Sequence, residues 1–252
     1  MVSSINKFPD NQSFLLDHVA FYGRTLNEYI DMFQLRAEDW HGKRILDCAS
    51  GSSSFASEAH RIGINSVACD PLYAHNLQKL LPLAESDLEK CAVKSATHRQ
   101  FFDPSACDIE SHYGAEKQRA LFNFSRDYTQ GKGEGRYVVG ALPQLPFASN
   151  NFDLVLCAHF LFVYATKESG GMFAADHYDE SFHISAIREL IRVARNEVRI
   201  YPLKGPNRPD SPILNKVLSV LKREPLQIDL VEVDYRDIAG ANMMLRIRKQ
   251  KV

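Results

Sequence analysis

The chain has 252 residues, with 30 Lys and Arg against 31 Asp and Glu and a formal net charge of −1, so bulk electrostatics makes no case for a nucleic-acid or anionic-membrane partner. No apolar run reaches the roughly 18–20 residues of a membrane span, and the opening residues MVSSINKFPDNQS lack an apolar signal core. Five cysteines, Cys48, Cys69, Cys91, Cys107 and Cys157, sit at no metal-ligand spacing; the expectation is a single cytoplasmic domain over 1–252 with reduced, buried thiols and no metal site.

Residues 14–35 carry apolar side chains at helical spacing and predict one or two helices, within an N-terminal helical segment 1–39. The run KRILDCAS (43–50) reads as a strand covered on both faces. A helix over 53–62, stopped by Gly63, leads to a second strand, INSVACD (64–70). A helix over 74–93 follows, with a break expected at Pro82. Residues 94–130 form a polar insertion rich in aromatics, read as helical between 105 and 129; it either walls an acceptor pocket or packs on the body of the domain. GRYVVGA (135–141), FDLVLCAHFLF (152–162) and EVRIYPL (197–203) are the third to fifth strands. An amphipathic helix over 179–195 lies between the last two, and another over 211–223 follows a proline-rich loop.

The last two strands, 226–235 and 240–249, are joined by about five residues. A parallel crossover needs more chain than that, so they form an antiparallel hairpin. Alternating strands and helices with this ending predict an α/β fold: a Rossmann-like, doubly wound, seven-stranded, mostly parallel sheet with an antiparallel last strand.

Two acids end the first two strands, Asp47 and Asp70, and would meet at the carboxyl edge beside the topological switch point. An acid after the second strand suits the paired hydroxyls of a ribose. The turn after the first strand, Asp47-Cys48-Ala49-Ser50-Gly51-Ser52-Ser53-Ser54, has one glycine and no lysine. A pyrophosphate asks for G-x-G-x-x-G and close backbone approach; this turn suits a ligand without phosphates.

The ordered set Asp47-to-Ser53, Asp70, Gly140-Ala141-Leu142-Pro143-Gln144-Leu145-Pro146-Phe147 and Phe152-Asp153-Leu154-Val155 resembles class I S-adenosylmethionine-dependent methyltransferases, and in particular bacterial methyltransferase-like proteins without an assigned substrate. The family reads D/E-x-G-x-G-x-G after its first strand and often G-D-A-x-x-L-P-F before its fourth, and it shares the closing antiparallel strand. The resemblance covers roughly residues 40–250. It implies S-adenosyl-L-methionine as cofactor. Asp47, Ala49, Ser50 and Gly51 would face the methionine part, Asp70 the ribose, and Pro71 and Leu72 the adenine, with Leu142 opposite. Ala158 and His159 would lie beside the transferred methyl, and Arg24, on a segment that often covers the cofactor, would pair with the methionine carboxylate. His159 is the candidate catalytic base, since an oxygen or nitrogen acceptor must lose a proton. The acceptor implied is a small molecule; no nucleic-acid, membrane or metal partner is implied.

The chain departs from the pattern in three places. Ala49 and Ser53 replace motif glycines, and Ala141 stands where many relatives place an acid for the adenine amino group. These departures keep a second reading open, a non-catalytic module that binds S-adenosylmethionine or S-adenosylhomocysteine through a degenerate glycine motif. A nicotinamide oxidoreductase is opposed by the missing G-x-G-x-x-G and by the closing hairpin.

Overall fold

The computed structural model describes residues 13–104 and 112–250. Its elements in chain order are α1 (Leu26–Phe33), α2 (Ala37–Trp40), β1 (Arg44–Cys48), α3 (Phe55–Arg61), β2 (Asn65–Cys69), α4 (Leu77–Thr97), α5 (Lys117–Gly133), β3 (Tyr137–Val138), β4 (Phe152–Ala158), α6 (Glu180–Val193), β5 (Ala194–Tyr201), α7 (Pro212–Leu221), β6 (Leu226–Glu232) and β7 (Met243–Lys249). The seven strands form one sheet in the order β3-β2-β1-β4-β5-β7-β6. The first five strands of that order pair in parallel, and β7 runs antiparallel to both neighbours. This is the arrangement expected from the alternation of elements and the short last connection. It puts the switch point between β1 and β4, where crossovers leave in opposite directions.

Side chains alternate across the sheet with the period of two that a strand imposes. Leu46 and Val155 enter the core under α6 and α7 with Ile187, Leu190 and Val217. Ile45, Leu154 and Leu156 enter the opposite core with Tyr29, Phe33 and Phe55 of α1 and α3. Tyr29 stacks on Phe55 with ring centroids 4.6 Å apart. α1 opens with a reciprocal cap: Glu28 N–H bonds the Thr25 side chain while the Thr25 N–H donates to Glu28 at 2.9 Å.

Three expectations need correction. Residues 14–25 are not helical; apart from an isolated bridge at Leu16 they form an irregular strap, and only Leu26–Phe33 completes a helix in the predicted span 14–35. Pro82 does not break α4, which runs from Leu77 to Thr97; so near the start, proline removes only a single ladder bond. The third strand shrinks to two residues, and the fourth ends at Ala158. The aromatics of 94–130 divide their roles: Phe124 and Tyr128 pack with Tyr73 and Tyr137, and Phe102 packs with Phe14. The expected helix start at 105 lies outside the described residues. Among the described residues, no helix is long and apolar enough to cross a membrane. The four described cysteines are buried and free, and Cys107 lies outside them.

Candidate functional site

The turn after β1 is tied to the end of β2 by backbone and by carboxylate. Ser50 N–H donates to the Cys69 carbonyl at 3.1 Å. Gly51, at φ +56°, takes the left-handed conformation that glycine adopts without strain. Its N–H donates to Oδ2 of Asp70 at 3.0 Å, while Oδ1 of Asp70 accepts from Leu72 N–H at 2.9 Å. Burial pushes the Asp70 carboxyl up to about 6, against the opposing pull of those two donors. Asp47 lies deeper and is fully buried. It accepts from Tyr29 Oη at 2.9 Å and from Ser50 Oγ at 2.5 Å. Burial pushes its carboxyl up to about 7 despite these donors.

The strap lies directly over this turn. A Cβ on Gly23 would stand 2.0 Å from the Ser53 nitrogen, and one on Gly51 would stand 2.9 Å from the Tyr22 carbonyl oxygen. Ser53, in place of a motif glycine, donates from Oγ to the Arg24 carbonyl at 2.9 Å, and Ser54 N–H donates to the same oxygen at 3.1 Å. The strap is pinned again further out. Phe21 N–H donates to Oδ2 of Asp87 at 2.8 Å, His18 Nε2 lies 2.8 Å from the other Asp87 oxygen, and Ala20 N–H donates to Tyr164 Oη at 3.0 Å.

At the β4 end the chain turns sharply. His159 has φ +49°, a conformation uncommon for a residue with a side chain and one that concentrates at functional sites. Its N–H donates to the Tyr201 carbonyl at 2.6 Å. The imidazole Nε2 lies 2.6 Å from Oδ2 of Asp237, and Arg24 Nη2 donates to the same oxygen at 3.0 Å. Oδ1 of Asp237 accepts from the Ile238 N–H at 2.8 Å. All three side chains are buried. Burial and the adjacent Arg24 charge push the imidazole down to about 4, outweighing the pull of Asp237. Arg24 Nε and His159 Nδ1 have no hydrogen-bond partner among the described residues, and the His159 Nε2 approach to Asp237 is an ion contact without hydrogen-bond geometry.

A second buried ion pair lies alongside. Lys117 Nζ sits 2.7 Å from Oε1 of Glu28, and Tyr235 Oη donates to the same oxygen at 2.8 Å. Burial pushes the Lys117 ammonium down to about 8.

One cavity joins these parts. Ala49, Ser50, Gly51 and Asp70 line one end, Arg24, Ala158, His159 and Asp237 the middle, and an apolar set including Phe14, Phe102, Val163, Met172 and Ile238 the other end. Its space is about 60 Å³, enough for a few waters. The structure therefore gathers Arg24, Ala49, Ser50, Gly51, Asp70, Ala158 and His159 around one space. Asp47 sits beneath the turn rather than in the wall. Pro71, Leu72, Ala141 and Leu142 also lie outside the lining; Leu72 packs toward the aromatic cluster of Tyr73 and Phe124, and Leu142 toward the α6 core. The carboxylate partner of Arg24 here is Asp237. Glu28, Lys117, Tyr235 and Asp237 are absent from the expected site. Only Glu28 carries a local signal, the Thr-x-x-Glu capping pattern of 25–28; the other three are brought in by tertiary contacts. His183, one of the histidines near 176–183, is a core residue with ring nitrogens 2.7 and 2.9 Å from the Asp179 and Leu161 carbonyl oxygens.

No family model matches this chain. An uncharacterised protein of Methanocaldococcus jannaschii is 27% identical over 235 residues, covering 93% of this chain and 98% of that one. Among solved structures, magnesium protoporphyrin IX methyltransferase from Synechocystis PCC 6803, with bound cofactor, is similar over 82% of this chain and 70% of its own, at 12% identity and a TM-score of 0.41. An S-adenosylmethionine-dependent methyltransferase from Aquifex aeolicus is similar over 82% and 81%, at 13% identity and a TM-score of 0.37.

Proposed function

We propose that this protein binds S-adenosylmethionine at the carboxyl edge of β1, β2 and β4 and transfers its methyl group to a small-molecule acceptor. The observation that carries this reading is the cavity, which runs from the Gly51–Asp70 junction past Ala158 and His159 into an apolar end. Its lining is polar around the turn and Asp70 and apolar around Phe14 and Met172, which suits a donor beside an apolar acceptor once the strap has lifted.

The residues present fit the cofactor chemically. The turn 49–51 offers backbone at close range without a phosphate cradle. Asp70 is held rigid by two backbone donors and keeps lone pairs for ribose hydroxyls. The Asp47 carboxyl, raised to about 7 beneath the turn while no cation faces it among the described residues, would take up its negative charge as an ammonium group approaches. Pro71, Leu72 and Leu142 lie outside the cavity and would flank the adenine only after the turn and strap open, with Ala141 leaving the amino group to backbone acceptors. When bound, the cofactor supplies a methyl group already activated by a sulfonium. The protein's own part is alignment of the acceptor and removal of its proton. His159, held by Asp237, is the base proposed for that step.

The space of about 60 Å³ is well below the roughly 300–1,000 Å³ of ligand pockets. The strap over Gly51 must therefore lift for the cofactor to enter. The same roof favours a second reading, a binding module in which ligand moves the strap and no transfer follows. Thermal-shift titration with S-adenosylhomocysteine and with NADH tests the first claim: a rise in Tm with the former alone supports it, and no rise with S-adenosylhomocysteine rejects it. Turnover of the cofactor against a panel of small acceptors then separates enzyme from module.

A further inference from the structure

We infer that the cavity beside Arg24 and His159 is a subsite for the hydroxyl group of an apolar, preferably aromatic, acceptor, so that the transfer proposed above is O-methylation; this rests on that reading for its methyl donor.

The inference comes from polar atoms left over in a buried network. Arg24 Nη2 and His159 Nε2 converge on one oxygen of Asp237, at 3.0 and 2.6 Å. Arg24 Nε–H, a donor, and His159 Nδ1 have no partner among the described residues, and His159 Nε2 makes no hydrogen bond beyond its 2.6 Å ion contact with Asp237. Buried polar groups are seldom left unpaired, because each costs desolvation without recompense. Both residues line the cavity.

The tautomer decides what Nδ1 can do. An imidazole held well below its ordinary value is neutral near pH 7, and its single proton belongs on Nε2, the nitrogen facing the carboxylate. Nδ1 is then a lone-pair acceptor. The pair of vacancies is one donor and one acceptor. A hydroxyl meets both, donating to His159 Nδ1 and accepting from Arg24 Nε. A carboxylate meets only the donor and sets its charge against the Nδ1 lone pair and Asp237. A methyl ether has no proton for Nδ1. The apolar part of the wall, which includes Phe14, Phe102, Val163, Met172 and Ile238, suits an apolar ring system.

The chemistry balances. The acceptor O–H bond breaks and its proton passes to His159 Nδ1, giving an imidazolium beside the Asp237 carboxylate. The oxygen lone pair forms the new O–CH3 bond as the sulfur–carbon bond of the methyl donor breaks and sulfur keeps that pair. Arg24 Nε–H stabilises charge developing on the oxygen before transfer. The products are the methyl ether, the demethylated donor and one proton, later released to water.

The test is binding, measured by calorimetry on the full chain in the presence of S-adenosylhomocysteine, with 2-naphthol, 2-methoxynaphthalene and 2-naphthoate as probes. 2-Naphthol is expected to bind at least tenfold more tightly than either analogue. His159→Gln keeps an amide to face Asp237 and removes the Nδ1 acceptor; with its fold checked by circular dichroism, it is expected to lose the preference for naphthol over the ether. Equal binding of the three probes, tightest binding of naphthoate, or an unchanged preference in His159→Gln overturns the proposal. Thermal shifts with S-adenosylhomocysteine alone keep the readings apart: no shift, with the naphthol preference intact, rejects the methyl donor and leaves the hydroxyl subsite standing.

Discussion

Two buried ionic groups lie side by side under the strap, and they differ in one respect. In the pair Lys117–Glu28, the acid also accepts from Tyr235 Oη and Thr25 N–H, and each member has a hydrogen-bond partner. In the trio Arg24–Asp237–His159, a donor and an acceptor remain open. A saturated network fixes geometry; an open one of the same depth is unfavourable unless a ligand completes it. The difference marks Lys117–Glu28 as the brace that holds α5 to α1, and the trio as the chemical end of the cavity.

That contrast can be broken at several points. The largest effect is expected from Lys117→Met, which takes the paired cation away from the buried Glu28 carboxylate. A loss of about 3–5 kcal/mol should appear in urea unfolding, and Glu28→Gln in the same chain should recover part of it. Asp47 is a third case, a buried acid with hydrogen bonds and no cation. Its carboxyl is raised to about 7, so the fold binds its proton more tightly than the unfolded chain does. Its contribution is fully present below the ordinary value of 3.8 and is lost as pH rises through about 7. Asp47→Asn should remove that fall, gaining roughly 4 kcal/mol on wild type between pH 4 and pH 8 at about 1.4 kcal/mol per pKa unit.

The His159 contribution has the opposite sign with pH. Its imidazole is pushed down to about 4 from 6.5, so the unfolded chain binds more protons between those values and stability falls as pH drops from 6.5 to 4. His159→Gln should flatten this acid limb by about 3 kcal/mol, measured as the pH dependence of the urea midpoint. An unaltered limb would mean that His159 titrates as it does in the unfolded chain. The smallest effect is expected at the turn: Ser53→Ala removes the bond to the Arg24 carbonyl and the acceptor of the Phe55 N–H, at about 1 kcal/mol each. Faster hydrogen exchange of strap amides, with little change in global stability, is the expected signature.

The sheet was readable because its signals are local. An apolar run ending in Asp47, a short connection before the last strand and the aspartate at position 70 each declare themselves within ten residues. The strap was misread for a physical reason: its apolar side chains follow a helical period, yet its backbone groups are satisfied by Asp87, Tyr164 and Asn207 across the molecule. The trio was legible only in halves. Arg24 and His159 could be singled out by position, but their shared partner Asp237 lies 213 residues beyond Arg24, and a lone aspartate in a polar loop carries no sign of burial. Lys117 was hidden in the same way, as one cation on a polar helix. Ala49 and Ser53, which stand in for motif glycines, read as erosion of a binding loop; Ser53 is a hydrogen-bonding tie to the strap.

The roof over Gly51 sets the kinetics of whatever enters beneath it. A ligand that needs the open form meets only the fraction of molecules whose latch has sprung, so its apparent dissociation constant is the intrinsic one divided by that fraction. The observed association rate would then climb with ligand concentration and level off at the opening rate of residues 13–25, and loosening the Gly23–Ser53 seam would raise that plateau without touching any residue that contacts the acceptor.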